Sequence, residues 1–181
     1  MINKSFHILA LLLLNISCLC HSENQVTGLN INLQNQTINI SPRLNFLTSN
    51  EIKEAIDNGI RIRLIAKAQL YKPVSWWFDE TLDNKKLNLE ISYFITSKLY
   101  IVKNIDSNEQ LGFNDYDQLW KDFEKLVEFN FNQKITDNTW IKFRIMLDKG
   151  ALPTAMQLPV LFNDNWDVNT DWYQQQIINH E

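Results

Sequence analysis

The segment IRIRLIAKAQLY, residues 60–71, decides the fold class of this chain. Ile60, Ile62, Leu64, Ala66, Ala68 and Leu70 fall on one side, while Arg61, Arg63, Lys67, Gln69 and Tyr71 fall on the other. A period of two sustained this long predicts a β-strand with one face on a core and the other towards water. Pro73 ends the run, because proline cannot donate to a strand ladder.

Towards the C-terminus, a loop over 74–84 carries Trp76, Trp77 and Phe78, and a second strand follows with Leu87, Leu89, Ile91 and Tyr93 inward. Lys98 to Lys103 and Gln110 to Phe113, separated by a polar turn at Asn104 to Asn108, continue the pattern, so three successive antiparallel strands are predicted. Towards the N-terminus, Leu29, Ile31 and Leu33 alternate within Val26 to Leu33, and Gln36 to Ile40 alternates again after Gln34-Asn35, which reads as a hairpin. Thr48 or Ser49 can cap a short helix with Ile52, Ala55 and Ile56 on one face, stopped by Asn58-Gly59. Asn114 or Asp115 opens a second helix, in which Tyr116, Leu119, Trp120, Phe123, Leu126 and Val127 form one apolar stripe. Trp140 to Leu147 is partly apolar on both faces and predicts a central strand. Beyond Asp148 the chain turns at Lys149-Gly150, passes Pro153 and Pro159, and leads to a final edge strand with a packed tail. The fold expected is mostly β with two helices and seven or so strands: an antiparallel β-sandwich-like domain, with a single curved sheet or a lipocalin-like barrel as the alternatives.

Residues 1–22 read as a secretory signal peptide, with Lys4 ahead of an apolar run from Phe6 to Leu14 that falls short of the ~20 residues of a spanning helix. The competing reading is an uncleaved anchor. Cys18 raises lipidation, but Asn15 stands where a lipobox carries an aliphatic residue. Cleavage near Cys20 to Ser22 removes both cysteines and leaves one mostly β domain over 23–181, in the periplasm or associated with the envelope. The whole chain carries 17 basic and 21 acidic residues, a net charge of −4. Lys4 is the only charge in the leader, so its removal brings the balance to −5. That sign argues against nucleic acid and anionic lipid as main partners, leaving membrane contact to the leader if it is uncleaved or lipidated.

The residue inventory speaks against several chemistries. The three histidines are His7, His21 and His180, so a histidine triad or a histidine zinc site has no material to build from. Four glycines in the chain leave no Gly-rich loop for phosphates or a dinucleotide, and no cofactor and no metal is expected. Carboxylates cluster at Asp79, Glu80 and Asp83 and again at Asp164, Asp167 and Asp171, and a glycosidase needs two of them across a cleft. Asp167, Asn169 and Asp171 imitate the start of a calcium loop, but Trp172 stands where its glycine belongs and Ile178 where its last glutamate belongs.

Trp76, Trp77 and Phe78, followed by Asp79 and Glu80, form the first candidate surface for a partner. Three consecutive rings cannot all be buried by strict alternation, and exposed rings among polar groups suit protein or sugar recognition. Trp166, Asp167, Asp171 and Trp172 form a weaker candidate surface. For each tryptophan the competing role is a plug closing the end of the core.

Ala55-Ile56-Asp57-Asn58-Gly59-Ile60, Leu70-Tyr71-Lys72-Pro73, Trp76-Trp77-Phe78-Asp79-Glu80, Ile91-Ser92-Tyr93, Leu99-Tyr100-Ile101-Val102, Leu147-Asp148, Leu152-Pro153, Asn165-Trp166-Asp167 and Asp171-Trp172 follow one another in the order and spacing of a bacterial family. In these pieces the chain resembles domain of unknown function 4390 over nearly all of its mature length. The resemblance implies an exported protein of Gram-negative bacteria and transfers no activity, ligand or catalytic residue. It also raises a partner in envelope signalling, through the proximity of such genes to those of envelope-sensing histidine kinases. The expected function is a non-enzymatic exported envelope domain that binds a protein partner. A carbohydrate or lipid-precursor binding module is the alternative, and a carboxylate-pair glycan hydrolase the third reading.

Overall fold

The computed structural model describes residues 24–34, 37–76, 78–133, 135 and 138–178. The expected leader, with His7, Cys18, Cys20 and His21, lies outside the described residues, as do Trp77 and His180.

Strand β3 (Ile62–Lys72) buries Ile62, Leu64, Ala66, Ala68 and Leu70 and leaves the alternating partners Arg63, Ile65, Lys67 and Gln69 half-exposed. It pairs antiparallel with β4 (Glu80–Phe94) on one side and β8 (Trp140–Leu147) on the other. With β5 (Leu99–Asn104), β6 (Gln110–Phe113) and β9 (Tyr173–Gln176) they form a six-stranded sheet in the order β6-β5-β4-β3-β8-β9. β8 is interior and β9 is an edge strand, as their residue patterns imply.

A second sheet, in the order β1-β2-β7, consists of β1 (Gln25–Gln34), β2 (Thr37–Asn45) and β7 (Phe129–Asn132). Ile40 stands opposite Ile31 on one side and Phe129 on the other. Pro42 lies in β2 beyond the last residue paired with β7, where its missing N–H costs no ladder bond. The two sheets pack as a sandwich and are not closed into a barrel. Phe129 from the small sheet and Phe143 from the large one meet across the core with ring centroids 6.1 Å apart. A core of Ile, Leu, Val and Phe from both inner faces supplies the main driving force for burial.

The first helix, α1 (Asn50–Asp57), is capped by Ser49, whose hydroxyl accepts from Ile52 N–H at 3.2 Å. It buries Ile52 and Ile56 and ends at Gly59, whose φ of 86° suits a residue without Cβ. Helix α2 (Tyr116–Asp122) is capped by Asp115, which accepts from the N–H groups of Asp117 and Gln118. The apolar stripe is as expected, but its last turn tightens into a 3₁₀ segment, Phe123–Leu126, before the chain enters β7. Strand β7 was not foreseen, because its Phe-Asn-Phe-Asn alternation is only four residues long.

Among the described residues the structure holds nine strands rather than about seven, and three α-helices rather than two. The additional helix is α3 (Thr154–Leu161), in the stretch around Pro153 and Pro159 that was expected only to lead to the final edge strand. Pro153 precedes its first residue, where a fixed φ is compatible with helix initiation, and Pro159 falls within its last turn. Among the described residues no helix is long and apolar enough to cross a membrane.

Candidate functional site

The β3–β4 connection, residues 73–79, is the tip of the longest hairpin in the fold. Lys72 pairs with Glu80 at its base, so the ladder runs to the edge of the loop. Between Leu70 and Tyr71 the register shifts, leaving Leu82 as the extra residue of β4. Such a bulge bends and twists a ribbon locally.

The root of that tip is held firmly. Tyr71 is buried, and its hydroxyl donates to Gln174 Oε1 of β9 at 2.6 Å. Lys142 Nζ of β8 lies 5.1 Å from the centre of its ring. Burial, and then the charge of Asp79, push the Tyr71 pKa above its ordinary value, which favours the neutral hydroxyl that donates this bond. Beyond the root, Trp76 is 95% exposed and Phe78 84% exposed, with Val74 also on the surface and Asp79 and Glu80 exposed beside them. Of the five residues expected to form the first surface, Trp76, Phe78, Asp79 and Glu80 therefore share one exposed tip, and Trp77 is outside the described residues.

The second candidate surface does not hold together. Trp166 is 5% exposed and belongs to the core cluster, so the plug role applies and Trp166 leaves the candidate surface. Asp167 and Asp171 are exposed. Asp167 Oδ1 accepts from the backbone N–H of Asn169 at 3.2 Å and from its side-chain amide at 2.7 Å, a local turn. Asn169 Oδ1 is in turn engaged by Leu147 N–H at 3.0 Å. Among the described residues no group of three His, Cys, Asp or Glu side chains could hold a metal ion.

Trp172 stands apart from this segment and lies on the outer face of the large sheet. Its ring centre is 4.4 Å from the Arg144 guanidinium carbon and 5.4 Å from Lys142 Nζ, a cation–π arrangement. Sequence reasoning missed Lys67, Lys86 and Arg144 as site residues. Their signal was the basic content of the water-facing side of three adjacent strands, which reads equally well as an ordinary solvated face.

A cleft of about 570 Å³ opens between the sheets, with Leu87, Leu89, Val102 and Leu126 among the apolar residues lining it and Glu109 and Lys125 among the polar ones. A further exposed apolar group, Leu158, Leu161 and Phe162, lies on and just after α3.

A sequence model of the family described as Domain of unknown function (DUF4390) matches residues 21–176. No curated protein and no solved structure matches the chain.

Proposed function

The chain belongs to the DUF4390 family, and we propose that it is an exported, non-enzymatic envelope protein whose β3–β4 hairpin tip docks onto a protein partner. The observation that carries this reading is the exposure of Trp76 and Phe78 on a tip whose root is fixed by Tyr71. An exposed aromatic pair presents large contact area for few side-chain torsions to be ordered, which is the composition of an interface hot spot. Asp79 and Glu80 beside the rings favour a partner with an apolar pocket and a basic rim. The same two charges disfavour insertion of the tip among anionic lipid headgroups.

Export is supported by Lys4 and the apolar run that follows it, and the non-enzymatic reading by the residue inventory, in which histidine occurs only at positions 7, 21 and 180.

The reading is tested by placing a photo-crosslinking amino acid at position 76 of the full chain in its own host, with the same substitution at Lys121, an exposed residue of α2, as the reference. A discrete adduct from position 76 that Phe78→Ser abolishes supports the docking tip. Equal labelling from both positions, or none from position 76, overturns it.

A further inference from the structure

The outer face of the large sheet carries a second surface, separate from the hairpin tip. Strand register places three cations in one row: Lys67 stands directly opposite Lys86 of β4 on one side and Arg144 of β8 on the other. All three point away from the core, since the flanking Ala66 and Ala68 are buried. With strands spaced about 4.8 Å apart, the row spans about 10 Å.

Like charges directly opposite one another destabilise a sheet. Among the described residues none of the three has a carboxylate within ion-pair distance, in a chain with more acidic than basic residues. On the same face, Arg63 is matched by Glu90 at 3.5 Å and Asp148 at 3.9 Å. Counter-charges are thus provided for Arg63 and withheld from the row. Arg144 Nε, like Arg63 Nε, is moreover buried with no hydrogen-bond partner among the described residues, and the Arg144 guanidinium carbon lies 4.4 Å from the centre of the Trp172 ring. A cation that faces a π-cloud in place of a carboxylate retains most of its capacity to bind an anion.

Together with Gln69 and Asn84, these side chains line a groove of about 450 Å³ that no Asp or Glu lines. That size is in the range of small-ligand sites, larger than one inorganic ion needs and suited to an anionic group with an organic body attached. A carboxylate would neutralise one of three charges, whereas a phosphomonoester or pyrophosphate carries enough charge and acceptor oxygens for all three. We propose that the row Lys86, Lys67 and Arg144, walled by Trp172, is a binding site for the phosphate or pyrophosphate group of a small ligand.

Titration calorimetry of the purified full chain with inorganic pyrophosphate, at ionic strength held constant with sodium chloride, is the first test. Saturable one-to-one binding is expected, weakened about tenfold or more in Lys67→Gln and in Lys86→Gln and unchanged in Lys121→Gln. Glucose 1-phosphate in solution and vesicles containing phosphatidylglycerol form two further arms. Binding in the first arm assigns the phosphate to a soluble ester, and binding in the second to a lipid headgroup, either result supporting the site if Lys67→Gln removes it. No saturable binding in any arm, or binding that survives Lys67→Gln, overturns the proposal. Because Trp76 and Phe78 do not line the groove, this result and the crosslinking result are independent.

Discussion

The Tyr100 hydroxyl of β5 donates a 2.5 Å hydrogen bond to Asp57 Oδ1 at the end of α1, and Lys53 reaches the other oxygen of the same carboxylate at 2.5 Å. This joint fastens α1 to the large sheet, and its two ends titrate in opposite directions. Burial, reinforced by the bond to Asp57, pushes the Tyr100 pKa up to about 12. Burial alone would raise Asp57 as well, but the bonds from Lys53 and Tyr100 and the charge of Lys53 outweigh it and hold the carboxyl below its ordinary value. The raised tyrosine contributes stability that is complete below its unfolded value of 10.0 and is lost as pH rises towards 12. The depressed carboxyl contributes stability that is complete above 3.8 and is lost as pH falls through its lower folded value. In a tyrosinate absorbance titration the latest-titrating tyrosine is expected to disappear in Tyr100→Phe, and its persistence would contradict the assignment.

Removing the hydroxyl also tests the joint energetically. Tyr100→Phe takes a hydrogen bond from a partly exposed carboxylate, and a loss of about 1–2 kcal/mol in urea unfolding is expected. Asp57→Asn should cost a similar amount. In the double variant the two losses should fall short of adding, because both remove the same bond. Full additivity would mean that the two groups do not stabilise one another.

How much of this was legible follows from the length of each signal. The eleven residues of β3 repeat their period often enough to fix strand, face and core, and Ser49 with Asn58-Gly59 marks both ends of α1. Strand β7 offers only two inward phenylalanines, too few to separate a strand from the end of the preceding helix. Helix α3 is hidden because Pro153 and Pro159 signal interruption wherever they stand, and only the tertiary position of Val160, buried against the core, reveals a helix. The aromatic tip was legible because three rings in a row exceed what alternation can bury. The cation row was not, since it exists only once register sets Lys86, Lys67 and Arg144 side by side from three strands.

Trp76 and Trp166 divide the tryptophans by role, and their substitutions should divide the same way. Trp76→Ser removes a ring that is 95% exposed and is expected to change stability by no more than about 0.5 kcal/mol. Trp166→Ala empties a site in the core, where 3–5 kcal/mol is the usual scale, about 3–5 kcal/mol being expected here. Chemical denaturation of the two variants against the parent reads both values. A large loss in Trp76→Ser would make the tip part of the core closure and remove the basis for a docking role.

Lys67 offers the sharpest sign test, because its replacement should stabilise a protein that most substitutions weaken. It stands between Lys86 and Arg144 with no carboxylate in ion-pair distance among the described residues, so the folded sheet holds three like charges closer than the unfolded chain does. Lys67→Gln keeps much of the aliphatic stem that covers the sheet and removes only the central charge. Urea unfolding at low ionic strength is expected to show a gain of about 0.2–1 kcal/mol. Raising the salt to 1 M shortens the screening length to about 3 Å and should erase most of that gain, because the parent is relieved of the same repulsion. A gain that persists at high salt would point to β-propensity or packing rather than charge. A loss at low salt would mean that Lys67 already has a stabilising partner, and that the row is not the uncompensated patch its register describes.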